Sequence, residues 1–172
     1  ILPSGPDPEL MIISPDGEYL YVSNEDDNTV TVVNLESQKI KTEIPVGVEP
    51  EGMGISRDGK ILVNTSETTN MAHFIDTSSN NIFANVLVDA RPRFALFTED
   101  NSKVWVSSEI GGTVSIIDAQ TQSILSKLSF EIKGIRSESI QPVGMSLTRD
   151  GQLAFIALGP SNRIAVVDVP TL

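Results

Sequence analysis

The chain has 172 residues, 40% of them apolar, which is enough to bury one sizeable core. It contains no cysteine, so disulfides, thiolate metal sites and cysteine nucleophiles are excluded while the redox compartment stays open. The net charge of −11 argues against nucleic acid and anionic membranes as partners, both of which need a basic face, and no apolar run approaches the roughly 20 residues of a membrane helix.

Read in chain order, Leu2-Pro3-Ser4-Gly5 matches Ile44-Pro45-Val46-Gly47, so residues 1–4 read as the tail of a strand from a preceding unit. The first unit, residues 5–47, then offers four strands. Glu9–Ile13 leads to the turn at Asp16-Gly17. Glu18–Ser23 (EYLYVS) and Thr29–Leu35 (TVTVVNL) are rich in β-branched and aromatic residues, and Lys39–Val46 closes the unit. Asp-Gly is a turn signal because glycine accepts positive φ, and Asn28 marks the second turn for a related reason. Units over residues 48–89, 90–139 and 140–172 follow, the third with an insertion and the last lacking its fourth strand.

Three sets of markers share one register. Asp16, Asp58, Asp100 and Asp150 are spaced 42, 42 and 50, as are Pro8, Pro50, Pro92 and Pro142, and so are Asn34, Asp76, Asp118 and Asp168. One insertion of eight residues, within Ser129–Gln141, explains the single change of step. No segment keeps a helical period. Units of about 40–45 residues with four antiparallel strands are the signature of an all-β propeller, whereas β-helix coils are shorter and leucine-rich repeats have another leucine spacing. The expectation is about four blades of a larger propeller. Unpaired strand edges in such a piece are expected to associate with another copy.

The words of the repeat are specific. Tyr21-Val22-Ser23-Asn24 followed by Asn28-Thr29-Val30 is similar to the YVTN-type propeller repeat. The stretches Ser4–Glu9, Ser23–Asn28, Val48–Met53, Asn64–Asp76, Arg91–Phe94, Trp105–Ser115, Phe130–Met145 and Ala157–Asp168 together resemble the β-propeller proteins associated with PQQ-dependent catabolism. That resemblance implies a periplasmic protein of about seven blades, set beside quinoprotein alcohol oxidation; it implies no reaction.

In a propeller the loops between the second and third strands open on the same face as the loops between blades. The opposite face has plain turns: SPDG, SRDG, TEDN and TRDG. The first face is unusual. The residues flanking the repeated proline are Asp7 and Glu9, Glu49 and Glu51, Arg91 and Arg93, then Gln141 and Val143, and they should ring a central channel mouth. Glu25, Glu67 and Glu109 occupy one repeated position nearby, with Gly159 in the fourth unit. The candidate ligand-binding residues are therefore Glu25, Asp26, Asp27, Glu49, Glu51, Glu67, Arg91, Arg93, Glu109 and Arg163. The glutamates with Asp26 and Asp27 suit a hard divalent cation, and Arg91 with Arg93 suits a carboxylate. The alternative is that these charges simply pair with one another between blades.

His73 is the one histidine and falls within a third strand, which suggests a structural or surface role. Trp105, Met53, Met71 and Met145 read as packing residues. No catalytic or nucleotide motif is present. The expected function is a non-catalytic binding or scaffold propeller that takes a protein partner or small ligand on the charged face. A metal-assisted, lactonase-like hydrolase on that face is the second expectation. Binding of PQQ itself is a lesser third, since quinoprotein dehydrogenases use larger propellers with a tryptophan-rich repeat and this chain has one tryptophan.

Overall fold

The computed structural model describes residues 1–172. Fifteen strands form four antiparallel sheets in strict sequence order. The first sheet is β1 (Pro8–Ile13), β2 (Tyr19–Asn24), β3 (Thr29–Asn34) and β4 (Lys39–Pro45). The second is β5 (Pro50–Ile55), β6 (Ile61–Ser66), β7 (Met71–Asp76) and β8 (Asn81–Leu87). The third is β9 (Pro92–Phe97), β10 (Lys103–Ser108), β11 (Thr113–Asp118) and β12 (Ile124–Ser129). The fourth has three strands, β13 (Met145–Leu147), β14 (Leu153–Ala157) and β15 (Ile164–Asp168).

The sequence repeat is a repeat of register. Met11, Val22, Thr31 and Glu43 stand side by side across the first sheet. Met53, Asn64, His73 and Asn85, each 42 residues later, do so across the second. Matching letters therefore occupy matching places. The turns repeat equally closely. Between the first two strands of every sheet, a hydroxyl donates to an aspartate two residues on: Ser14 to Asp16, Ser56 to Asp58, Thr98 to Asp100 and Thr148 to Asp150. The same aspartates accept the amides of Glu18, Lys60, Ser102 and Gln152. Each turn so satisfies its own backbone, as Asx turns do.

Side chains alternate across a strand, so a sheet packed on both faces needs apolar residues in both phases. Each pair of neighbouring sheets shares one core cluster. Tyr21, Val30 and Val32 meet Met53, Leu62 and Ile75 between the first and second sheets. Val63 and Phe74 meet Ala95, Val104 and Ile117 between the second and third. Trp105 and Ile116 meet Met145, Ala154 and Ile156 between the third and fourth. Side chains as large as Phe74 and Trp105 are fully buried, each worth roughly 2–3 kcal/mol in transfer alone. The inner strands β1, β5, β9 and β13 lie one against the next, which gathers their starts on one face.

One packing expectation needs correction. Met71 is half-buried at the start of β7 and lies outside the core clusters, unlike Met53 and Met145. The insertion joins the core: Phe130, Ile132, Ile135 and Ile140 fold back onto the cluster around Trp105.

Candidate functional site

The backbone builds the mouth the same way three times. Asp7, Glu49 and Arg91 adopt left-handed φ values of 49°, 57° and 59° immediately before the repeated prolines. Their carbonyls accept the amides of Glu25 (3.0 Å), Glu67 (2.9 Å) and Glu109 (2.8 Å). Each glutamate is thus fastened beside the linker into its own sheet. The loop between the second and third strands also reaches forward to the next linker. The Asn28 side-chain oxygen accepts the Glu49 amide and that of Asn70 accepts the Arg91 amide, both at 3.1 Å. Gly112 takes the asparagine's place in the third sheet and has no side chain to hold Gln141 in this way, so the frame ends where the charges end. Ser23 adds a cross-sheet bond, donating to the Glu51 carbonyl at 2.9 Å.

On this frame the structure assembles Glu51, Glu67, Glu109, Arg91 and Arg93 into one network. Arg91 Nε donates to Glu67 Oε2 at 2.7 Å and lies 3.5 Å from Glu109 Oε2. Arg93 holds Glu51 at 2.6 Å through Nη2 and Glu67 through Nη1, with its Nε 3.7 Å from Glu109 Oε2. Glu67, at the centre, is 8% exposed. Three carboxylates face two guanidiniums, which leaves one negative charge in excess. Burial pushes the Glu51 carboxyl up to about 8, with its hydrogen bond to Glu67 adding to the rise. Burial alone would raise Glu67 too, but the hydrogen bond with Glu51 and the two arginines outweigh it and hold Glu67 below its ordinary value. Arg91 is raised in turn by its hydrogen bond to Glu67.

The remaining carboxylates have no such partners. Oxygens of Asp7, Glu9 and Glu25 all lie within 4.8 Å of one another, and none of these residues forms an ion pair. Partial desolvation raises the Glu25 carboxyl, with the charges of Glu9, Asp7, Glu49 and Glu67 adding to it. Glu49 accepts the Thr68 hydroxyl but meets no cation. A cavity of about 400 Å³ opens between the two groups, lined by Glu25, Glu49, Glu67, Thr68, Asn70, Arg91 and Ile110 among others.

Against the candidate residues from sequence, the structure brings Glu25, Glu49, Glu67 and Arg91 to that cavity and Glu51, Arg93 and Glu109 to the network beneath. It leaves three apart. Asp26 is exposed, and Asp27 accepts the Thr29 hydroxyl at 2.8 Å. Arg163 is exposed, donates to the Asn162 carbonyl, and borders a separate cleft of about 510 Å³ among Leu128, Phe130 and Ile132. The picture of open arginines awaiting an anion needs correction, because glutamates hold both guanidiniums. Glu67 and Glu109 are correspondingly spoken for, and the carboxylates without a counter-charge are Asp7, Glu9, Glu25 and Glu49. Thr68, Asn70 and Ile110 were missed; the first and last have no repeated chemistry to mark them.

His73 is buried in β7 and structural in its contacts. Its Nε2 accepts the Gly47 amide at 3.0 Å and lies 3.0 Å from the Ser66 hydroxyl, while Nδ1 is 2.6 Å from Asn85 Oδ1.

No protein-family model matches the chain, and no curated protein matches it. Among solved structures, hydrazine synthase of Kuenenia stuttgartiensis superposes with a TM-score of 0.88 at 19% identity, over 99% of this chain and 48% of that one. U3-55K superposes with a TM-score of 0.76 at 13% identity, over 96% of this chain and 53% of that one. At such identities the likeness speaks to fold alone. The chain spans about half the length of either neighbour, and its sheets form an all-β, propeller-type architecture.

Proposed function

We propose that this chain is part of a non-catalytic binding propeller whose mouth takes a cationic ligand, such as a basic side chain of a protein partner or a small organic cation. The observation that carries this reading is the internal neutralisation of Arg91 and Arg93, which leaves Glu25 and Glu49 lining a cavity of about 400 Å³ with no ion-pair partner, and Asp7 and Glu9 beside Glu25 in the same condition. A cation entering there recovers Coulomb energy that the isolated chain lacks, and the net charge of −11 steers it inward. The resemblance of the repeat's words to PQQ-associated propellers supports a parent of about seven blades in a periplasmic setting accessory to alcohol catabolism.

Titration calorimetry tests the reading with an arginine-rich peptide, an acidic peptide of equal length and calcium. The basic peptide is expected to bind, to weaken with salt, and to weaken further in Glu25→Gln and Glu49→Gln. Binding of the acidic peptide instead would overturn it.

A second reading rests on the clustering of Asp7, Glu9 and Glu25, whose oxygens are close enough to share a divalent cation. A metal there would support lactonase-like hydrolysis by polarising a carbonyl. Calcium binding that Glu25→Gln abolishes, together with calcium-dependent lactone turnover, is its signature.

A further inference from the structure

Three linkers lead into the mouth, and three different side chains pin them. In the first, Asn24 accepts the Ser4 hydroxyl at 2.7 Å and donates to Thr31 at 2.7 Å. A Cβ on Gly5 would stand 2.8 Å from the Asn24 side chain, so glycine makes the room. In the second, Ser66 and His73 replace Asn24 and Thr31 in the repeat. The imidazole now fills the room, and a Cβ on Gly47 would stand 2.8 Å from its Nε2. In the third, Asp89 replaces the glycine and fills the room from the linker itself. It accepts Thr113 and Lys127, both at 2.6 Å.

The second pin is the one that would gain a charge on taking up a proton. The Gly47 amide can only donate, so Nε2 is the acceptor and Nδ1 carries the proton towards Asn85. A second proton would set two N–H groups against each other across 3.0 Å. The groups that meet the ring are the Gly47 amide from the linker, Ser66 from β6 and Asn85 from β8, and none is charged. Burial lowers the affinity of the ring for that proton, and no nearby charge offsets it.

We propose that His73 is a positioning residue for the mouth: neutral, it sets the linker that carries Glu49 and Glu51, and proton uptake releases that linker while leaving the other two in place. The consequence for ligand binding rests on the reading above; the positioning itself does not.

Amide hydrogen exchange on the intact chain tests it without any ligand, using residues 5–9 and 89–93 as internal controls. In His73→Leu, which keeps apolar bulk but no acceptor, the Gly47 amide is expected to exchange about tenfold faster or more at pH 7.5, with both control linkers unchanged. His73→Gln, which returns an acceptor oxygen, is expected to restore protection. The unsubstituted chain is expected to show the same local loosening at pH 4.5 after correction for intrinsic exchange, and His73→Leu no further change. Undisturbed protection at Gly47 in His73→Leu, or equal loosening of all three linkers, overturns the proposal. Failure of the basic peptide to bind would sink the function proposed above and leave these exchange results standing.

Discussion

Arg93 holds Glu51 at 2.6 Å, and the two residues occupy the same place in consecutive repeats. A position that changes sign from one unit to the next lets neighbouring inner strands pair through their own equivalent side chains. Arg93 reaches Glu67 as well and is 26% exposed, whereas Arg91 is 46% exposed. Removing a charge partner costs most where the groups left behind are buried. Arg93→Ala is therefore expected to cost roughly 2–3 kcal/mol and Arg91→Ala about 1 kcal/mol or less, by urea unfolding at pH 7. Equal costs would show that the exposure of the two arginines does not set what each contributes.

Glu51 gives the network a pH signature. Its folded value, about 8, stands above the ordinary 4.5. Between those values the folded chain holds a proton that the unfolded chain has released. The contribution of Glu51 is thus fully present below pH 4.5 and is lost as pH rises through 8. Glu51→Gln imitates the protonated form, so it is expected to change stability by less than about 0.5 kcal/mol at pH 6 and to stabilise the chain relative to the unsubstituted one at pH 9. Urea midpoints at the two pH values check this. Strong destabilisation at pH 6 would mean that Glu51 is ionised there and pairs with Arg93 as a full charge.

The turns on the far face respond in the opposite sense. The Thr98 hydroxyl, then the Ser102 amide and hydroxyl, hold the Asp100 carboxyl down at about 2, against an ordinary 3.8. Its contribution is present above 3.8 and disappears as pH falls through 2. Thr98→Val removes the donor and is expected to cost about 1 kcal/mol at pH 6, with a smaller difference at pH 2. A cost that stays constant with pH would assign it to packing instead of the hydroxyl–carboxylate bond.

Much of this was legible in the sequence because the repeat transfers position. Asn28, Asn70, Gly112 and Asn162 all take the left-handed conformation that their residue types suggest. Glu25, Glu67 and Glu109 make the same backbone bond. What a repeat cannot convey is which side chain meets which across two sheets. Arg91 and Glu67 are 24 residues apart and belong to different units, and their contact depends on how one sheet is rotated against the next. The core role of Phe130, Ile132 and Ile135 was hidden because the insertion has no counterpart in the other units to align with.

The linker sockets offer the most demanding test of this transfer. Asp89 and Gly111 in the third sheet stand where Gly47 and Thr69 stand in the second, and each pair has one small member. The constraint is steric in both: a Cβ on Gly47 would lie 2.3 Å from Thr69 Oγ1, and a Cβ on Gly111 would lie 2.5 Å from Asp89 Cβ. Gly47→Asp alone should therefore overpack the socket and bury a carboxylate with no cation, at roughly 3 kcal/mol or more. Adding Thr69→Gly clears the space, His73→Ser vacates the imidazole's room, and Asn85→Lys supplies the equivalent of Lys127. The fourfold variant is expected to recover most of the loss, so the measured total should fall well below the sum of the single costs. It should also lose the pH response of the Gly47 linker, since the histidine has gone. A total equal to the sum would mean that the three sockets are not interchangeable, and that the alternation of small and large residues at these positions has some other cause than shared space.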